Sequence, residues 1–207
     1  MLEFTAEDWS AEDIDRMRGI YQPLAESVRE LVDATIRSQA DAETVAEVTR
    51  DIDAAVARLR ERQIAGSFGV RSTTAGESIG WGNAVVGIRN ALAPPVLTRR
   101  DESGRVRADF HLGAAYEGPP GHVHGGVSAL ILDHLLGEAA SPDRTPRFTG
   151  SITMRYLRAT RLGPLYVEAT RTRTEGVKTY CTGHIADADG ATVEAEGVFI
   201  TPRWLRD

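Results

Sequence analysis

Residues 118–137 read Gly118-Pro-Pro-Gly-His-Val-His-Gly-Gly-Val-Ser-Ala-Leu-Ile-Leu-Asp-His-Leu-Leu-Gly137, and this stretch decides the fold. Its Pro-Pro-Gly opening excludes helix and sets an extended or turned approach. His124-Gly125-Gly126 then opens a helix over Gly125 to Ala140. Val127, Ala129, Leu130, Ile131, Leu132, Leu135 and Leu136 make that helix apolar nearly all round, as a buried one should be. Glycines at a helix start let a ligand approach N–H groups that have no intrahelical partner. The macrodipole favours negative charge there, so this end suits a carbonyl oxygen becoming an oxyanion. Tight packing against a sheet would explain the same glycines, so His-Gly-Gly alone does not decide.

Strand signals surround the helix. Asp101-Glu-Ser-Gly104 is a turn before the alternating run Arg105 to Leu112. After the helix come runs at about Arg147–Arg158, Leu165–Thr174, Thr179–Ala186 and Thr192–Ile200, separated by turns at Leu162-Gly-Pro164, Glu175-Gly176 and Asp187–Gly190. Two or so strands, one long helix and four strands in series predict an α+β domain, an antiparallel sheet wrapped around a central helix, over residues 84–207. Residues 66–83 hold five glycines and read as a linker. Residues 1–65 read as a helical extension. One helix is expected from Pro23, with Leu24, Val28, Leu31, Val32 and Ile36 on one face, and a second from about Asp41 to Gln63. Ser10-Ala-Glu-Asp13 resembles a helix-start signal, with Asp where Glu or Gln is usual.

Composition excludes several classes of function. With 207 residues, 42% of them apolar, the chain can build a core, and no apolar run reaches the length of a membrane helix. The acidic start MLEFTAEDWSAED lacks a secretion signal, so a cytoplasmic location is expected. One cysteine, Cys181, rules out a disulfide framework or a cysteine-built zinc site, and it reads as a small buried hydrophobe. Residues 1–65 carry eight basic and fifteen acidic side chains, whereas residues 144–178 hold eight basic groups (Arg144, Arg147, Arg155, Arg158, Arg161, Arg171, Arg173, Lys178) against Glu168 and Glu175. A local basic segment in a chain of net charge −6 suits a small anionic ligand better than nucleic acid. Arginines lining exposed strand faces would look the same.

Asp133 lies in the apolar helix, where a carboxylate is costly unless partnered, and a tuned base is the functional reading. A surface Asp or a silent ion pair is the plain alternative. Gly125 and Asp133 are eight residues apart, which separates them by about 12 Å along one helix. One reacting carbonyl and its attacking water span far less. Antiparallel helices related by a two-fold axis would bring Gly125 of one protomer to Asp133 of the other, so an isologous dimer with two composite sites is expected.

These residues resemble the hotdog-fold acyl-CoA thioesterases of the PaaI type, in the branch with a Gly-Pro-Pro-Gly lead-in. Phe148-Thr-Gly-Ser-Ile-Thr-Met-Arg-Tyr156, Glu175-Gly-Val-Lys178 and Val193-Glu-Ala-Glu-Gly-Val-Phe-Ile200 extend the likeness over about residues 85–201. The resemblance implies that Gly125, with His124 beside it, holds the thioester oxygen by backbone. It implies that Asp133 activates water, or attacks directly, in the partner's site. Thr149 would orient Asp133 or water, and Lys178 would lie near the coenzyme A phosphates. Arg155 and Arg158 join Lys178 on charge alone. Many relatives carry a polar amide or His seven residues before the oxyanion glycine, where this chain has Gly118.

The expectation is therefore a hydrolase releasing free acid and coenzyme A from an acyl-CoA, as a homodimer or dimer of dimers, with no metal, cofactor, nucleic acid or membrane. The alternative is a non-catalytic acyl-CoA or aromatic-ligand binding module. His122 and His124 with Asp133 are poorly spaced for zinc. Ser128 lacks a nucleophile-elbow pattern. The adjacent Asp133-His134 pair does not match a hydratase dyad, because neighbouring side chains on a helix point apart.

Overall fold

The computed structural model describes residues 5–73, 78–143 and 145–206. The chain divides into two compact units, Met1–Asn83 with Gly87–Ala91, and Ala84–Val86 with Leu92–Asp207.

The first unit holds strand β1 (Thr5–Glu7), helices α1 (Ala11–Arg37) and α2 (Ala42–Arg60), and strands β2 (Arg71–Thr73) and β3 (Ser78–Ile79). Helix α1 starts well before Pro23 and runs through it. The reason is the cap: the Asp13 N–H donates to Ser10 Oγ at 3.1 Å while the Ser10 N–H donates to the Asp13 carboxylate at 3.1 Å. Aspartate thus closes the reciprocal box that glutamate usually closes. Residues 66–83, read from sequence as a linker, contain β2 and β3, and Ile79 and Trp81 form this unit's small core with Ile14. Trp9 and Phe68 pack on Trp81 with ring centroids 5.8 and 6.1 Å away. Helix α2 is capped by Asp41, which accepts from the Thr44 N–H at 2.9 Å, yet none of its residues is buried.

The second unit holds β4 (Arg99–Arg100), β5 (Val106–Leu112), helix α3 (Gly125–Ala140), β6 (Phe148–Tyr156), β7 (Gly163–Glu175), β8 (Lys178–Asp187) and β9 (Gly190–Ile200). They form a six-stranded sheet in the order β4-β5-β7-β8-β9-β6, antiparallel throughout. Period-two alternation faces Val106, Ala108, Phe110 and Leu112 of β5 inward. Helix α3 lays Ile131, Leu132, Leu135 and Leu136 on that sheet, all fully buried. This is the hotdog fold, with a helix on an antiparallel sheet and a helical region ahead of it. The helix is less enclosed than its composition suggests, because Leu130 is 40% exposed and Asp133 only half-buried. Strand β6 follows the helix directly and ends up at the sheet edge, opposite the two-residue edge strand β4.

Candidate active site around helix α3

The loop before α3 is a tight, pinned structure. Gly121 takes φ 72°, which only glycine adopts cheaply, and its N–H donates to the Glu117 carboxylate at 2.6 Å. The Val123 N–H donates to Thr160 O at 2.9 Å and the Leu162 N–H to Gly121 O at 3.0 Å, so the loop is fastened to the β6–β7 connection. The His124 N–H is used by Tyr116 O at 2.9 Å. His124 is the N-cap: its Nδ1 accepts from the Gly126 N–H at 3.0 Å. That bond requires a lone pair on Nδ1, so the ring proton of the neutral imidazole sits on Nε2. Of the first N–H groups of α3, Gly126 is spent on the cap and Val127 bonds His124 O at 2.9 Å. The Gly125 N–H makes no hydrogen bond among the described residues, leaving one open donor at the positive end of the helix.

Tyr156, a residue to which sequence reasoning gave no role, frames this donor. The Tyr156 hydroxyl donates to Gly125 O at 2.9 Å, and a Cβ on Gly125 would lie 3.3 Å from the Tyr156 ring. Glycine at 125 therefore serves close ring packing as well as ligand approach. Gly118 explains the departure from the resembled pattern: a Cβ there would meet His124 Cα at 2.7 Å, so no side chain fits while the loop holds this path.

At the other end of the site, Thr149 Oγ1 donates to Asp133 Oδ1 at 2.8 Å. A β-bulge makes this contact. The pairing of β6 with β9 slips between Thr149 and Ser151, inserting Gly150 as an unpaired residue. Ile152 and Met154 of β6 pack on the core that α3 shares, so strict alternation would put Gly150 and Phe148 on that face; the bulge turns Thr149 there instead. Among the described residues no arginine or lysine forms an ion pair with Asp133. Beside it, burial holds the His134 imidazole below its ordinary value against the opposing pull of Glu138 and Asp133.

The contacts of Tyr156 with Gly125 and of Thr149 with Asp133 show that α3 runs antiparallel to β6. Within one chain, Gly125 and Asp133 stay half a helix length apart, about 12 Å. The basic candidates separate along the same axis. Lys178 is exposed and lies in register with Ile200, itself opposite Phe148, so it belongs to the Asp133 end. Arg155, with its side chain 77% exposed, pairs loosely with Glu194 at 3.9 Å and belongs to the Gly125 end. Arg158 is otherwise employed: it clamps Asp187 with both terminal nitrogens, one at 2.8 Å, and donates to Gly190 O at 2.8 Å, closing the β8–β9 turn. That guanidinium pulls the Asp187 carboxyl down to about 2. Arg144 lies outside the described residues. His122 binds Pro120 O through Nδ1 at 2.8 Å, and no three metal-ligating side chains gather among the described residues. Cys181 is buried and its thiol is pushed up to about 11 by that burial. No helix among the described residues is long and apolar enough to cross a membrane.

Comparison with known proteins agrees with this architecture. The sequence profile of the thioesterase superfamily matches residues 120–194. A crystal structure described as a thioesterase superfamily protein is 35% identical, covering 87% of this chain and 94% of its own, with a TM-score of 0.79. The Escherichia coli PaaI protein from the phenylacetic acid degradation operon is 14% identical, over 52% of this chain and 80% of its own, at a TM-score of 0.49. A Streptococcus mutans protein solved with acetyl-CoA is 15% identical, over 52% of this chain and 88% of its own, at 0.48. No protein of curated function matches the sequence. On the strength of the 35% identical relative, matched over nearly its whole length, this chain belongs to the thioesterase superfamily.

Proposed function

We propose that the protein hydrolyses an acyl-CoA thioester to free acid and coenzyme A, in sites shared between the two protomers of a homodimer. One observation carries the reading: an open N–H at Gly125, the first residue of α3, and a hydroxyl-held carboxylate at Asp133, midway along it, lie beside a bare edge strand that runs antiparallel to the helix. A nine-residue edge with Phe148 44% and Tyr156 53% exposed is an open template for pairing. Two-fold pairing through β6 sets Gly125, Tyr156 and Arg155 of one protomer against Asp133, Thr149 and Lys178 of its mate. A dimer of dimers would repeat this unit.

In such a site the thioester oxygen docks on the Gly125 N–H, at the helix end where negative charge is favoured. Asp133 takes a proton from water as the water oxygen adds to the carbonyl carbon; alternatively the carboxylate adds directly and the anhydride is then hydrolysed. The tetrahedral oxyanion accepts from Gly125 N–H, a donor of the kind worth roughly 3–4 kcal/mol. The C–S bond then breaks, and the departing thiolate of coenzyme A takes up the proton. Lys178 and Arg155 are the candidates for its phosphates. Arg158 could join only by giving up Asp187. The hydrogen bond from Thr149 orients the carboxylate, and His124 holds the helix start.

Thiol release from a panel of acyl-CoAs tests this. Asp133→Asn should cut turnover by roughly 10²–10⁴-fold while circular dichroism and dimer mass stay unchanged, and full activity in that variant refutes the assignment. Binding without release in the unaltered protein would favour a non-catalytic acyl-CoA or aromatic-ligand module, the reading that the bare Gly118 position favours.

A further inference from the structure

Helix α2 carries an apolar stripe that the rest of its own unit leaves largely uncovered. Val45, Val48, Val56 and Leu59 are between 36% and 52% exposed, Ile52 is only partly covered, and no residue of the helix is buried. Helices in proteins draw most of their stability from packing an apolar face rather than from propensity. The charges beside the stripe indicate what covers it. At about 100° per residue, Asp51 and Arg58 flank Ile52 and Leu59 on one side of the stripe, and Asp53 and Arg60 flank them on the other. Each acid–base pair is seven residues apart. None of these four side chains has an ion-pair partner among the described residues; the helix's one internal pair is Arg50–Glu47 at 4.0 Å.

We infer that α2 packs antiparallel on α2 of a second copy of this chain. A two-fold axis perpendicular to the helices brings like flanks together with the chain direction reversed. Asp51 then meets Arg58 of the mate, and Asp53 meets Arg60 of the mate, each pair occurring twice. In the same register Ile52 packs on Leu59 of the mate, and Val56 lies at the axis. A parallel pair brings opposite flanks together at the same height, setting Asp51 against Asp53 and Arg58 against Arg60. Charge thus selects the orientation, and Ile52, Val56 and Leu59, the half of the stripe that overlaps the mate's helix, supply the cohesion. This interface belongs to the N-terminal unit and needs no catalytic activity, so it goes beyond the proposed hydrolysis and stands or falls apart from it.

Disulfide trapping in the full chain is the test, with Cys181 buried out of reach. Positions 52 and 59 of one helix are about 10 Å apart, beyond the roughly 4.4–6.8 Å between Cα atoms that a disulfide allows. The double variant Ile52→Cys/Leu59→Cys should therefore link only between chains, giving a covalent dimer under mild oxidant. Each single variant should link at least tenfold more slowly. A single variant linking as fast as the double sets like positions face to face and overturns the register. Absence of linking in the double variant, with helix content retained, shows that something other than a second α2 covers the stripe. Charge gives an independent arm. A chain with Ile52→Cys, Asp51→Arg and Asp53→Arg should not self-associate through α2. Mixed with a chain carrying Leu59→Cys, Arg58→Glu and Arg60→Glu, it should link at least as fast as a mixture of the two single-cysteine chains. A tenfold slower rate there overturns the charge argument.

Discussion

Replacing Thr149 by Val removes one hydrogen bond and almost nothing else. Valine keeps the branched shape and suits a strand, but it cannot donate the 2.8 Å bond that holds Asp133 Oδ1. Bonds to a charged group are worth about 1.5–3 kcal/mol. Thr149 is exposed and Asp133 half-buried in the chain, so the lower end of that range applies, about 1.5 kcal/mol. At about 1.36 kcal/mol per decade, kcat should fall roughly tenfold. KM should barely change, because in the proposed mechanism the bond orients a reacting group rather than holding substrate. Thr149→Ser, which keeps the hydroxyl, should recover most of the loss. Combined with Asp133→Asn, the Val change should cost less than about twofold, since residues that act as a unit are not additive. Steady-state thiol release on one good acyl-CoA measures all four variants and the unaltered protein. Equal damage from Ser and Val, or a full tenfold loss in the Asn background, would refute a role exerted through Asp133.

Other expectations follow from single contacts. Gly118→Ala must push a Cβ to 2.7 Å from the His124 backbone, so it should cost about 1–3 kcal/mol by overpacking and lower both Tm and activity. Restoring the polar side chain of other family members at this position should fail for the same reason, as calorimetry would show. Asp187 is depressed to about 2 by Arg158, so its contribution to stability is complete above the unfolded value near 4 and is lost as pH falls toward 2. Asp187→Asn should therefore lower Tm at pH 7 and leave it nearly unchanged close to pH 2; an equal loss at both pH values would contradict the pairing. Cys181 is 1% exposed with its thiol raised to about 11, so a thiol reagent at pH 7.5 should label the native chain far more slowly than the denatured one.

What the sequence revealed and what it hid divide by range. Helix α3 and the four strands after it were legible because their signals are local: a Pro-Pro-Gly stop, an apolar run, and turns at Gly163, Gly176 and Gly190, all three with positive φ. Pro23 misled for the opposite reason, since a local breaker was overruled by a cap thirteen residues upstream at Ser10. The pieces that complete the candidate site have no local signal, because each is a relation between distant residues, and Thr149 is named from sequence only through the family resemblance. Thr149 faces Asp133 only because β6 slips against β9 at Gly150, and a bulge is a property of a strand pair, not of one alternating run. Tyr156 covers Gly125 from 31 residues away, and Arg158 is withdrawn from the basic cluster by Asp187, 29 residues on. Charge density along a chain therefore overcounts available cations: of the three candidates grouped by sequence, only Lys178 and Arg155 remain exposed, and Lys178 on β8 is level with the Phe148 end of β6 while Arg155 lies near its other end. That division is itself informative. If both face one coenzyme A, they must do so from different protomers, which is the same demand that the separation of Gly125 and Asp133 makes independently.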